Sequence, residues 1–390
     1  MTSPAAAPTL PAMGTGPVMC VVGARPNFMK IAPILRALAA HVPPLPALLV
    51  HTGQHYDASM SDRLFADLRL PQPDLNLEVG SGSHAVQTAE VMKRFEPALD
   101  EHHPCCVLVV GDVNSTLACT LVAVKKGVPV VHVEAGLRSY DRKMPEEINR
   151  VLTDQVADRL YTTERSAAAN LQREGVAAER IAFTGNVMID SLLACREHAR
   201  PAAATLQAHG LDPALLARPQ GYGVVTLHRP SNVDDAATLR PLLEVLAEVA
   251  AQLPLVFAMH PRTRNNIERF GLGALLRPEH VAVLPPQGYL EMVGLMGGAT
   301  LVLTDSGGLQ EETTALGVPC LTLRENTERP ITVEQGTNTM VGRNVQAIRA
   351  GVADVLVGRG KRGRGPELWD GHAAERIAAD LYRWLAAGAG

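Results

Sequence analysis

Residues 301–330 read LVLTDSGGLQEETTALGVPCLTLRENTERP, and this stretch decides the fold. Leu301–Leu303 is an apolar run of strand type, Asp305-Ser306-Gly307-Gly308 is turn chemistry, and Leu309–Leu316 has helical spacing. A helix therefore begins at a glycine pair directly after a strand. Such a start leaves backbone N–H groups unpaired at the positive end of the helix dipole, and Gly307 and Gly308 carry no side chain to block an approaching anion. The stretch predicts a phosphate seat. Glu312, four residues after Gly308, falls on the same helical face, where a carboxylate accepts hydrogen bonds from ribose hydroxyls. Arg329, in the loop after the next strand, suits a diphosphate. Taken alone, a strand–glycine–helix turn with a Ser cap is also ordinary α/β architecture.

Working outward, the 390 residues exceed the usual size of one hydrophobic core, so two domains are expected. Hydrophobic residues make up 46% and charged residues 19%, the balance of a globular chain rather than a disordered one. The formal net charge of −4 gives no basic face for nucleic acid, although a small anion needs only local positive charge. Six scattered cysteines without a C-x-x-C pair read as reduced core residues of a cytoplasmic protein. Residues 1–16 lack a basic region ahead of an apolar core, so a disordered tail is expected there rather than a secretory signal. No apolar run is long enough for a membrane span. Metal is not expected: the one H-x-x-x-H spacing among the thirteen histidines, His51 and His55, falls in the polar loop after a strand rather than on a helix face.

The strand–turn–helix unit recurs along the chain. The strand Val18–Val22 ends in Gly23-Ala24-Arg25-Pro26-Asn27 and leads into a helix over Phe28–Ala40. G-x-G-x-x-G is absent at this turn, so NAD is not predicted and no cofactor is expected. Arg25 sits at the turn and Lys30 in the first helical turn, where a cation is unfavourable against the dipole unless an anion is near. Two later strands, Cys106–Val110 and Val128–Val133, each deliver a carboxylate at the carboxyl end, Asp112 and Glu134. In open α/β sheets the ligand crevice lies outside those ends, which predicts that both face one cleft, although a single Asp there commonly caps a helix. Glu146 and Glu147 follow Pro145 at a helix start, where acids also complement the dipole. Beyond a boundary near residues 185–200 the pattern restarts. The strand Tyr222–Leu227 hands His228 to its exit loop and Leu255–Met259 hands over His260, two histidines at matching positions. Gln287, in the loop after Val281–Leu284, has donors and acceptors for a nucleobase edge.

The segments GARPNFMKIAPI, HTGQHYDASMSD, GDVNSTLA, HVEAGLRS, MPEEINR, TGNVMIDSL, TLHRPSN, DSGGLQEE and ERP occur in the order found in the non-hydrolysing UDP-N-acetylglucosamine 2-epimerases. The chain resembles that family from about Val18 to Gly342. The resemblance implies a glycosyltransferase-B fold: α/β, two Rossmann-like domains with parallel sheets facing across a cleft. The expected divisions are a tail over 1–16, an N-terminal domain over 17–190, a UDP-binding domain over 191–368, and a terminal helix over 369–390 packing back across the domains. By the same resemblance Asp112, Glu134, Glu146 and His228 match catalytic residues. Arg25, Lys30, Gln287, Met292, Ser306, Gly307, Gly308, Glu312 and Arg329 match UDP-sugar contacts, Met292 near the uracil. Glu146 rather than Glu147 follows from the first glutamate of the P-E-E motif.

Two segments depart from many bacterial members. QHRxM is replaced by Gln54-His55-Tyr56-Asp57, and GHRRE by Leu227-His228-Arg229-Pro230-Ser231. The first difference removes an arginine associated in those enzymes with a second, regulatory UDP-GlcNAc site. The reaction implied is reversible C2 epimerisation of UDP-N-acetylglucosamine to UDP-N-acetylmannosamine. A C2 proton with no adjacent carbonyl becomes removable as UDP leaves C1, giving a 2-acetamidoglucal to which UDP returns. Expected partners are the UDP-sugar and a second copy of the chain, with neither nucleic acid nor membrane. Alternatives are a 2-epimerase for a UDP-2,3-diacetamido-uronic acid, a hydrolysing epimerase, a glycosyltransferase of the same fold, and a silent sugar-nucleotide sensor, which would lack the acids.

Overall fold

Unbroken aliphatic runs bounded by glycine form strands buried on both faces, the signature of a parallel sheet covered by helices. A computed structural model of the chain describes residues 16–53 and 64–388. The tail expected over 1–16, apart from Gly16, and the Gln54–Asp57 stretch lie outside the described residues. The chain forms two compact units, one of residues up to Asp190 together with those from Asp370, the other Ser191–Trp369.

In the first unit the described strands are β1 (Val18–Val22), β2 (Ala47–His51), β3 (Leu75–Asn76), β4 (Cys106–Val110), β5 (Val130–Val133), β6 (Arg159–Thr162) and β7 (Ile181–Phe183). They lie in the order β3-β2-β1-β4-β5-β6-β7, and every pairing is parallel. The order reverses between β1 and β4. At such a switch point the flanking loops diverge and open a crevice at the carboxyl ends. One core joins Met19, Val21, Val107 and Val109 of the sheet to Val91, Phe95 and Leu99 of the helix His84–His102. The terminal helix Ala373–Gly388 belongs to this unit and packs on the helix Arg25–Ala40. Asp190 accepts hydrogen bonds from its first N–H groups, those of Ala373 at 3.2 Å and Ala374 at 2.7 Å. Arg159 grips Asp380 farther along at 2.8 Å.

The second unit repeats the plan with β8 (Gly223–Thr226), β9 (Leu255–Ala258), β10 (Val281–Leu284), β11 (Leu301–Thr304), β12 (Cys320–Thr322) and β13 (Asn338–Met340), in the order β10-β9-β8-β11-β12-β13. All pairings are again parallel, and the switch point lies between β8 and β11. Alternate residues feed opposite faces: Val225, Phe257 and Leu303 join one core, Val224, Val256 and Val302 the other. Truncating one such fully buried side chain, as in Leu303→Ala, costs about 2–5 kcal/mol.

Candidate active site

In the first unit, Gly111 and Glu134 stand one step beyond the paired residues Val110 and Val133. Both turn into the left-handed region, Gly111 with φ +70° and Glu134 with φ +70°. For Gly111 this suits the residue, and a Cβ there would lie 2.9 Å from Nζ of Lys30. For Glu134 the conformation costs roughly 1–3 kcal/mol and persists only where its surroundings impose it. Glu134 is buried, and its Oε2 lies 2.6 Å from Nζ of Lys30, buried as well. Lys30 was expected in a first helical turn, waiting for an anion. The helix instead begins at Arg25, three residues earlier than its spacing predicts because Pro26 fits the first turn, and Lys30 is paired with Glu134.

Asp112 follows Gly111, with its side chain 22% exposed. The Arg150 guanidinium binds it through Nη2, while Nη1 lies 2.5 Å from Oε2 of Glu147. Asn149 donates to the Asp112 carbonyl at 2.9 Å. The two glutamates of the P-E-E motif are sorted by these contacts. Glu147 is buried and accepts from the Ser139 N–H and hydroxyl, both at 3.0 Å, and from the Tyr140 N–H at 2.9 Å. Burial alone would raise its carboxyl; the Ser139 N–H, Arg150 and the Tyr140 N–H outweigh that and hold it below the usual range. Glu146 is half-buried and has no hydrogen bond or ion pair among the described residues.

In the second unit the helix Gly307–Leu316 starts as the sequence predicts, with Ser306 as its N-cap making no side-chain cap hydrogen bond. A Cβ on Gly308 would meet nothing within 4 Å, so the first turn is open there; one on Gly307 would lie 2.5 Å from Oε1 of Glu328. His228, following β8, sits beside this turn. Its Nδ1 lies 2.8 Å from Oδ1 of Asp305, which also receives the N–H groups of His228 and Arg229 and, at 3.1 Å, the Asn232 amide. The fully buried Asp305 is pushed up by burial, yet the bond and charge from His228 and the N–H donors hold it below the usual range. A proton held on Nδ1 leaves Nε2 as the working nitrogen of a ring whose side chain is 38% exposed. The His260 ring centroid lies 5.9 Å from that of His228, and burial, His228 and Arg262 lower the His260 imidazole.

Buried charges on the segments that follow this turn are already matched. Nε of Arg329 lies 2.8 Å from Oε1 of Glu311, and Nη2 of Arg324 lies 2.8 Å from Oε2 of Glu328, all four buried. Buried Glu312 stands beside Tyr289, whose phenol is pushed up by burial and then by that carboxylate. Gln287 is buried with its amide donating to the Pro285 carbonyl at 2.7 Å and meeting His209 at 3.2 Å. Met292 packs partly buried against the core beneath. Arg25 opens its helix. Asp305, Arg150 and Asn27 carry no site role in the sequence reading. Asn27 caps the Gly23–Ala24 turn and donates to the Val110 carbonyl at 2.9 Å, tying the two strands of the switch point together. Its place in the first turn after β1 was the signal available for it.

The model of the UDP-N-acetylglucosamine 2-epimerase family matches residues 39–382. A Methanocaldococcus jannaschii protein named UDP-N-acetylglucosamine 2-epimerase is 39% identical over 364 residues, 93% of this chain and 97% of that protein. A Pseudomonas aeruginosa protein named UDP-2,3-diacetamido-2,3-dideoxy-D-glucuronate 2-epimerase is 40% identical over 376 residues, 94% of this chain and 99% of that protein. Among solved structures, the Methanocaldococcus jannaschii UDP-GlcNAc 2-epimerase in complex with UDP-GlcNAc and UDP is similar with a TM-score of 0.83 at 38% identity, over 94% of this chain and 99% of that one. With the two switch-point sheets and the acids at their strand ends, these matches establish that the chain belongs to the UDP-N-acetylglucosamine 2-epimerase family.

Proposed function

We propose that the protein interconverts UDP-N-acetylglucosamine and UDP-N-acetylmannosamine by eliminating UDP and adding it back. The C2–H bond breaks with its proton passing to a carboxylate, the C1–O bond breaks with its electron pair leaving on UDP, and a 2-acetamidoglucal remains. Return of UDP to C1 and of a proton to the opposite face of C2 completes the epimerisation. There is no net oxidation, so the scheme asks for no redox cofactor. It asks for acid and base groups and for a seat that steadies a departing diphosphate, and each unit carries one of these sets. Asp112, Glu134 and Glu146 are the proton-transfer groups. His228 and the Ser306–Gly308 turn receive the diphosphate, with Arg25, Lys30, Gln287, Met292, Glu312 and Arg329 as further UDP-sugar contacts.

The observation that carries this reading is the provision of acids at the ends of β4 and β5 and of an uncapped helix N-terminus after β11, in a chain of this family. Incubation with UDP-GlcNAc in deuterated water, followed by NMR, tests it. UDP-ManNAc carrying deuterium at C2 is the expected product, and free ManNAc with UDP would mark a hydrolysing enzyme instead. The 40% identity to the Pseudomonas aeruginosa protein favours a second reading, in which the substrate is a UDP-2,3-diacetamido-uronic acid. Exchange with that sugar and none with UDP-GlcNAc would select it. We read the enzyme as cytoplasmic, supported by six buried free cysteines suited to a reducing compartment, and as a source of ManNAc-type donors for cell-surface polysaccharide. A homodimer is supported by exposed Val86, Ile148 and Leu152 on the helices His84–His102 and Pro145–Val156, and light scattering tests it.

A further inference from the structure

His132, in β5, is fully buried and contacts none of the candidate acids' carboxylates. Its Nε2 lies 2.8 Å from the Gly111 carbonyl oxygen and its Nδ1 2.7 Å from Oδ1 of Asp154. A carbonyl only accepts. The Asp154 carboxylate also accepts here, its other oxygen receiving Nη1 of Arg138 at 2.7 Å and the Gly136 N–H at 3.0 Å. Both ring nitrogens therefore face acceptors and both donate. The charges then balance within the cluster, since Arg138 also binds Glu174 bidentately at 2.8 and 2.5 Å. Removing one member would strand a buried charge.

The partners matter more than the balance. Gly111 immediately precedes Asp112, and Gly136 lies two residues after Glu134. The Gly111 N–H donates in turn to the Val133 carbonyl at 3.1 Å. One imidazole–carboxylate pair thus clamps the carbonyl of one acid-bearing turn and the N–H of the other.

We propose that His132, donating from both ring nitrogens, acts with Asp154 as the positioning pair that sets the placement of Asp112 relative to Glu134. Its effect on turnover rests on the epimerase reading; its hydrogen-bonding state does not. Asparagine places its amide nitrogen near Nδ1, keeping Asp154 and releasing Gly111, whereas glutamine places it near Nε2 and does the reverse.

His132→Asn should lower kcat for C2 deuterium exchange about 100-fold, the scale of a misplacement of about 1 Å. His132→Gln, which keeps the Gly111 clamp, should lose only about tenfold, and both should keep KM within about twofold. Rates are taken per folded molecule, with circular dichroism on the same samples. Unchanged kcat in folded His132→Asn, or equal losses in kcat and KM, would overturn the proposal. In parallel, NMR of protein carrying ¹⁵N-histidine should show one buried ring with protons on both nitrogens, absent in His132→Asn. A single ring proton on His132 would overturn it as well. Should wild-type protein give no exchange, the epimerase reading falls and this NMR arm still decides the state of the pair.

Discussion

Nδ1 of His228 lies 2.8 Å from a carboxylate oxygen of Asp305, and the loop that carries the histidine also donates its own N–H groups to that carboxylate. One buried acid therefore sets the position, the tautomer and the exit loop of the histidine. Asp305→Asn presents an amide that can donate where Nδ1 needs an acceptor. It should lower kcat about 10²- to 10⁴-fold, the pattern of a lost orienting carboxylate, and weaken UDP binding as well, since His228 is proposed to receive the diphosphate. Deuterium exchange and UDP titration on the same protein measure both; an unaltered kcat would detach His228 from the chemistry.

The neighbours Glu146 and Glu147 should separate by phenotype. Glu147→Ala strands three donors and leaves Arg150 with Asp112 as its remaining carboxylate, so it should cost about 3–5 kcal/mol of stability. Glu146→Gln, with no bond to lose, should leave the urea midpoint unchanged and reduce turnover about 10²- to 10⁴-fold. A reversal of these two results would move the catalytic assignment to Glu147.

Gly307 and Gly308 should also differ. Gly307→Ala sets a Cβ against Glu328, which lies within a buried ion pair, and should destabilise the second unit. Gly308→Ala meets open space and should gain roughly 0.5–1 kcal/mol as a better helix former. The same methyl projects where an anion would approach, so UDP affinity should weaken about tenfold, an effect of about 1.4 kcal/mol. Calorimetric titration with UDP checks this, and full affinity in Gly308→Ala would place the diphosphate elsewhere.

Acid stability should follow Glu328. Burial would raise its carboxyl, but the guanidiniums of Arg329 and Arg324 outweigh burial and hold it well below the usual range. A depressed carboxyl stabilises the fold fully above its ordinary value near about pH 4 and loses that contribution as pH falls toward the folded value. Asp158 and Asp190, raised mainly by burial, run the other way and lose stability as pH rises. They are unchanged in Glu328→Gln. That variant should be less stable than wild type at neutral pH and lose less between about pH 5 and pH 3. Parallel melting curves at both pH values would sink the argument.

Features that depend on a few adjacent residues were legible in the chain. The glycine pair after Leu301–Thr304 does start a helix, because turn chemistry and helical spacing act over one or two turns. The placement of Asp112 and Glu134 just past two neighbouring strands was readable for the same reason. Charge partners were not. Lys30 looked like a cation waiting for a ligand, yet it is matched by Glu134 from a distant strand. Asp305 looked like a turn former, and nothing in the strand Val128–Val133 singled out His132. Their partners lie on other elements, where no local spacing points to them. Glu146 and Glu147 differ because successive helical residues point about 100° apart, which turns one onto the Ser139–Tyr140 loop and leaves the other unbonded.

By itself the sequence determined two α/β units of parallel strands and the turns that end those strands, through periodicity and turn chemistry, which are local; its ordered motifs carried the resemblance to the family. Only the tertiary structure decided that both sheets reverse order between their first and fourth strands, and which charges meet there: Lys30 with Glu134, Asp112 with Arg150, His132 with Asp154, His228 with Asp305. Parallel strands are joined through intervening helices, so residues far apart in the chain become neighbours through register and strand order. Those are set by the packing of the whole sheet.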